Sequence, residues 1–193
     1  HLKKLARRSE RRGKDSSGLI RNVDGAYKVV RSDTRLTNLL KTFSIGSSSL
    51  VFGHSRLVTN GTKNNQPVVR DGVVVVHNGI VVNDAEIWPK LETTPQLGVD
   101  TEVIAAVVAK HVADGGAIAA VADRVFELCD GVVSCICLLP EHGKLLAFTN
   151  NLSLFKGELN GDIFLASEAA TLREVGCHKI NVVEGVCVLD VPV

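Results

Sequence analysis

A chain of 193 residues with 45% apolar and 22% charged residues suits one domain with a sizeable core. Its net charge of +1 gives no general field for nucleic acid or an anionic membrane. Apolar runs such as residues 131–140 are far too short to span a bilayer, and Lys3, Lys4, Arg7 and Arg8 stand where a secretory signal would need apolar residues.

Residues 2–12 read as the end of a helix, with Leu2 and Leu5 spaced i, i+3 and Gly13 as its stop. Two short strands, 17–20 and 26–30, flank the hairpin signal Asp24-Gly25. Residues 34–43 place Leu36, Leu39, Leu40 and Phe43 on one helical face, with Ser32 or Asp33 as the expected cap. A strand over 49–52 leads into Gly53-His54-Ser55-Arg56, and a polar loop covers 60–66. Asp71-Gly72 turns the chain into a buried strand, 73–76, that stops at His77-Asn78-Gly79, and 80–82 continues extended. Asn83 or Asp84 is expected to cap a short helix that reaches Trp88 before Pro89 disrupts it.

After a loop at 93–98, Asp100 precedes a helix over 101–112, broken by Gly115-Gly116, and a second helix is expected over 117–128. Strands follow at 132–139, 144–149, 163–166 and 186–191, with a short helix at 167–175. Strands, then two helices, then strands again point to antiparallel sheets covered by helices rather than a parallel βαβ domain. There is no Walker sequence and no dinucleotide-binding glycine pattern.

The five cysteines, Cys129, Cys135, Cys137, Cys177 and Cys187, are odd in number and match no zinc spacing, so no metal is expected. Buried free thiols in a reducing cytosol are the plain reading, with Cys135 and Cys137 on one face of a strand. The chain opens on His1 and holds no Met. The natural polypeptide is therefore expected to carry residues before His1 and methionines that are lacking here.

Four segments put polar groups beside a glycine or a strand end: 12–18, 53–61, 77–83 and 100–103. Each has a bland reading alone. Asn78-Gly79 can be a type I′ turn, Asp100 a helix cap, Arg56 a surface arginine and Arg12-Gly13 a helix end. Together and in this order they resemble the glutaminase domain of class II glutamine amidotransferases, from about Leu5 to Ala170.

That resemblance implies an α+β fold: a four-layer αββα sandwich of mainly antiparallel sheets, the N-terminal-nucleophile hydrolase fold. It implies a single domain over 1–193 whose nucleophile segment is missing, with a synthase domain following Val193 or on another chain. The nucleophile would be an N-terminal cysteine with its own α-amino group as base; neither His1 nor any of the five cysteines matches that position. Asn78 and Gly79 match the oxyanion pair. Arg56 matches the arginine that grips the glutamine α-carboxylate, with Thr59 and Asn60 adding contacts. Asp100 matches the carboxylate that receives the α-ammonium, and Arg12 supports the nucleophile region.

The implied partners are L-glutamine and a synthase domain or subunit, in the cytoplasm, with no cofactor, nucleic acid or membrane; a homo-oligomer is left open. Leu57 stands where sugar-phosphate amidotransferases usually have Trp, and Asn60 where they tend to have His. Asn64-Asn65-Gln66-Pro67 is closer to the phosphoribosyl branch, whereas His77-Asn78-Gly79-Ile80 and Asp100-Thr101-Glu102 lean to the sugar branch. Two other readings compete. One is a glutamine-binding or regulatory domain of the same fold without chemistry. The other is a binding module built on the basic start, which the near-zero net charge disfavours.

Overall fold

The computed structural model describes residues 1–43, 46, 48–56 and 66–192. The expected contacts at Thr59 and Asn60 lie outside the described residues. The chain opens with α1 (Leu2–Ser9), followed by the hairpin of β1 (Ser16–Val23) and β2 (Ala26–Ser32), whose turn residues Asp24 and Gly25 both have positive φ. α2 (Leu36–Thr42) starts later than expected, with Arg35 rather than Ser32 or Asp33 at its N-cap position. Arg35 makes no side-chain cap bond; the Glu10 carboxylate instead accepts the Thr37 N–H at 2.7 Å. A residue 27 positions away thus caps this helix, which no local pattern reveals.

β3 (Val51–Arg56) runs on through Gly53-His54-Ser55-Arg56, because β1 pairs with it along its whole length. β4 (Val68–Arg70), β5 (Val73–His77) and β6 (Ile80–Val81) follow, then α3 (Asp84–Lys90), which passes through Pro89. α4 (Thr101–Ala113) is one helix, but the second expected helix divides into a 3-10 turn, Ile118–Ala120, and α5 (Val121–Leu128). The expected strand over 132–139 also divides, into β7 (Gly131–Val132) and β8 (Ser134–Leu139). The remaining elements are β9 (Lys144–Thr149), β10 (Phe155–Leu159), β11 (Asp162–Ala166), α6 (Ala169–Val175), β12 (His178–Val182) and β13 (Val186–Asp190). β10 and β12 were not expected from the sequence. Their segments mix charged and apolar residues, and a register shift between Lys156 and Glu158 blurs the alternation.

One compact unit comprises His1–Pro67, Leu154–Val182 and Val191–Val193. It holds two antiparallel sheets, ordered β2-β1-β3 and β11-β10-β12. Its buried apolar cluster is Ala6, Leu19, Leu36 and Leu39, so α1 and α2 pack together against β1. α1 also meets α6, through an ion pair of Arg8 with Glu174.

The other unit comprises Val68–Ser153 and Val183–Asp190. It contains the sheet β13-β9-β8-β5-β4 and the two-stranded ribbon β6-β7. Residues 73–76 of β5 are buried on both faces, which is why they read as continuous valines rather than an alternation. α4 lies on β4 and β5 with residues 101–108 all buried. Each side chain of the size of Ile104 or Val107 contributes roughly 1.5–3 kcal/mol by leaving water. Cys129, Cys135 and Cys137 belong to the same core. Burial pushes the Cys129 thiol up to about 12 and raises those of Cys135 and Cys137, so these groups are inert filling rather than nucleophiles. Among the described residues, no helix is long and apolar enough to cross a membrane.

Candidate active site

Strand β5, between β8 and β4, delivers His77, only 2% exposed, to a sharp turn. The Asn78 N–H donates to the Ser134 carbonyl at 2.9 Å, so this backbone stays tied to β8. The Asn78 side-chain amide is half-buried and has no hydrogen-bond partner among the described residues. Gly79 is exposed and has φ +151°, a conformation L side chains rarely adopt. A Cβ there would lie 1.9 Å from the Val132 oxygen and 2.8 Å from His77 Nε2. Only glycine fits, on both counts.

A type I′ turn needs positive φ at both central residues, and Asn78 does not have it. The turn is instead a strand end that holds two adjacent donors, the Asn78 amide and the Gly79 N–H. The ribbon beyond it is built as closely. Gly131 has φ +126°, and a Cβ there would stand 2.1 Å from the Ile80 oxygen. Ile80 and Val132, paired across the ribbon, are 56% and 39% exposed.

Asp100 occupies the N-cap position of α4, but its backbone is helical and its side chain makes no cap bond. Its Oδ2 accepts the Val81 N–H at 3.0 Å and lies 3.8 Å from His77 Nδ1. The helix-cap reading therefore gives way. The carboxylate is turned toward the segment that carries Asn78 and Gly79, and its side chain keeps 30% of its surface exposed. Burial lowers the His77 pKa from its ordinary value, partly offset by the Val132 carbonyl and the Asp100 charge.

Glu102, the second residue of α4, is fully buried. It pairs with Arg70 and accepts N–H bonds from Gln96 at 2.8 Å and Leu97 at 2.6 Å. Arg70 also donates to Thr94 O at 3.1 Å, to Thr93 Oγ1 at 2.9 Å and to Asp71 at 2.9 Å, and its guanidinium lies 5.5 Å from the Trp88 ring centre. This network fixes the loop before α4, and with it the position of Asp100. Sequence reasoning quoted Glu102 without giving it a role and passed over Arg70, whose partners in that loop and in α4 stand 23 to 32 residues away. Asn83 or Asp84 is expected to cap α3, and Asn83 takes the N-cap position but makes no side-chain cap bond. Its amide instead donates to Leu128 O and accepts the Asp130 N–H, both at 2.9 Å, and so ties the ribbon to the end of α5.

In the first unit, Arg56 ends β3, half-buried, opposite Ser16 of β1. The Asp15 N–H donates to the Arg56 carbonyl at 3.1 Å, and Ser55 Oγ to the Gly13 carbonyl at 2.7 Å. Two of the four motif segments, 12–18 and 53–56, are thereby brought side by side. Arg12 is exposed in the turn after α1.

Residues 54–174 match the family described as "Glutamine amidotransferase domain", and the chain belongs to it, as a class II glutamine amidotransferase domain with the N-terminal-nucleophile hydrolase fold. It is 31% identical over 192 residues to the glutamine–fructose-6-phosphate aminotransferase (isomerizing) of Agrobacterium fabrum, covering 95% of this chain and 32% of that protein. The chain thus spans about a third of the length of this curated relative.

Two solved structures share the fold. One is the glutamine phosphoribosylpyrophosphate amidotransferase from B. subtilis complexed with ADP and GMP, at TM-score 0.71 and 20% identity, covering 97% of this chain and 45% of that one. The other is described as the allosteric regulatory enzyme of purine biosynthesis, at TM-score 0.74 and 21% identity, covering 98% and 43%.

Proposed function

We propose that the chain hydrolyses free L-glutamine to glutamate and ammonia and passes the ammonia to an acceptor site on a synthase domain or subunit, in the cytoplasm. The observation that carries this reading is the Asn78–Gly79 turn at the end of β5, with two donors that have no partner among the described residues and no room for a side chain at Gly79. A primary amide is a poor electrophile, so its cleavage needs both a strong nucleophile and a stabilised oxyanion. In this reading the nucleophile is an N-terminal cysteine, activated by its own α-amino group. Its thiolate attacks the amide carbon, the oxygen gains charge between Asn78 and Gly79, ammonia leaves and water hydrolyses the thioester.

Arg56 holds the α-carboxylate, because a planar guanidinium grips it with two bonds. Asp100 takes the α-ammonium, Thr59 and Asn60 add contacts, and Arg12 supports the nucleophile segment. Reading both charges selects free glutamine over a glutamine side chain in a peptide. A sugar phosphate is the favoured acceptor class; it agrees with the aminotransferase relative, named for fructose-6-phosphate.

A diazoketone analogue of glutamine tests the nucleophile. In the complete protein it should label the N-terminal cysteine alone. Labelling of Cys129, Cys135, Cys137, Cys177 or Cys187 would overturn the assignment. A polypeptide that begins at His1 is expected to hydrolyse no glutamine.

Recognition is tested at Arg56 and Asp100. A charge-assisted contact is worth roughly 1.5–3 kcal/mol, so losing one should cost about 10- to 150-fold in kcat/KM. Arg56→Lys should fail nearly as badly as Arg56→Ala, since an ammonium lacks the fork. Asp100→Asn should weaken glutamine binding with little change in Tm, because the side chain makes no cap bond to lose. A fall in Tm with KM unchanged would move the ammonium site elsewhere.

A further inference from the structure

We propose that Asn150 is a positioning residue for the reaction: its carboxamide fixes the backbone of residues 131–133, against which the Asn78–Gly79 turn is built. The assignment rests on the glutamine reading above and adds a residue to it.

The ladder of β8 and β9 ends at the pair Ser134–Thr149. Asn150, the next residue, carries the pairing further with its side chain. Its N–H donates to the Val133 carbonyl at 3.0 Å. Its Oδ1 accepts the Val133 N–H at 2.9 Å, and its Nδ2 donates to the Gly131 carbonyl at 2.9 Å. A carboxamide has the donor and the acceptor of a peptide group, so it stands in for one more residue of strand. Val133 thus has both of its backbone polar groups held by Asn150.

The residues on either side of Val133 are the two that meet the turn. The Ser134 carbonyl accepts the Asn78 N–H at 2.9 Å. The Val132 oxygen is the atom that a Cβ on Gly79 would strike, at 1.9 Å. That oxygen belongs to the peptide group joining Val132 to Val133. Asn150 Oδ1 holds this group by its N–H, and His77 Nε2 donates to its oxygen at 3.0 Å. The preceding peptide group is held by Asn150 at the Gly131 oxygen. Both peptide groups of Val132 are therefore tied to one side chain, and the wall behind Gly79 keeps its place and its tilt.

Pairing with β6 cannot supply this anchor, because β6 follows directly from Gly79 and would move with it. Asn150 stands instead at the end of β9, in the five-stranded sheet. The consequence falls on the reaction, since a donor stabilises an oxyanion only when it is aimed where that oxygen forms. Asn150 is exposed, and exposed hydrogen bonds contribute little net stability. Its loss should therefore disturb the turn far more than the fold.

The test compares the complete protein with its Asn150→Ala variant, in kinetics, in melting and in NMR spectra of protein carrying 15N-labelled glycine. In Asn150→Ala, kcat for glutamine should fall about 10- to 100-fold, the cost of a displaced donor, with KM little changed. Tm should drop only slightly. The Gly79 amide resonance should move, while that of Gly143, at the far end of the β8-β9 hairpin, stays in place. An unchanged kcat, an unmoved Gly79 resonance, or a loss carried by KM or by collapse of Tm overturns the assignment. A wild type that turns over no glutamine defeats the functional reading instead, and the Gly79 resonance then decides the positioning alone. Should Asn150→Ala fail to fold, Asn150→Asp takes its place. It keeps an acceptor for the Val133 N–H and loses the donor to Gly131, so the same changes should appear at smaller size, and their absence overturns the proposal.

Discussion

Asn78→Ala is expected to lower kcat for glutamine hydrolysis about 100- to 1000-fold with KM little changed. On the proposed reading the ground-state amide oxygen is neutral, and the charge that the Asn78 amide would meet exists only in the transition state. The structure sharpens the expectation. The backbone of Asn78 is held independently by its N–H bond to Ser134, and its side chain makes no other bond among the described residues. Removing the amide should therefore leave the turn in place, and Tm should move by less than about 1 kcal/mol equivalent of stability. Steady-state kinetics with a parallel melting curve reads both quantities. A raised KM at unchanged kcat would make Asn78 a ground-state contact, and a collapsed Tm would make it a turn residue.

Glu102→Ala should destabilise the protein by roughly 3–5 kcal/mol, the cost of leaving one member of a buried ion pair without its partner. Arg70 would keep its charge at a position 5% exposed, and the N–H groups of Gln96 and Leu97 would lose their acceptor. The loop that leads to Asp100 should loosen, so KM for glutamine should rise in whatever protein remains folded. Urea denaturation gives the first effect and kinetics the second. Replacing both partners, as Arg70→Met with Glu102→Leu, should cost less than Glu102→Ala alone, since no buried charge is stranded. A loss under about 1 kcal/mol in the single variant would mean that water reaches the pair.

The sequence was most legible where local chemistry decides the outcome. The valine run of β5 announced a strand buried on both faces, and Asp24-Gly25 announced a hairpin. The motif segments pointed to the family because several polar signals stood in one order. What could not be read depends on distant partners. The cap of α2 comes from Glu10, the anchor of the loop before α4 from Arg70, and the use of Asn83 from Leu128 and Asp130. Asp100 shows the same limit from the other side. Its position before a helix suggested a cap, and only the fold reveals the Val81 N–H that claims its carboxylate. β10 and β12 went unseen because half-exposed strands with charged residues lack a clean alternation.

The β6-β7 ribbon divides its positions sharply by tolerance. Gly79, at its entrance, and Gly131, in β7, each face a carbonyl of the other side at a distance no side chain can occupy. Ile80 and Val132 stand beside them and point into solvent. In a saturation library, the two glycines should therefore admit almost no substitution, while their immediate neighbours accept most. Sequence drift can then rewrite the outer face of the ribbon, changing what it meets from one protein to the next, while the donor it carries stays where it is.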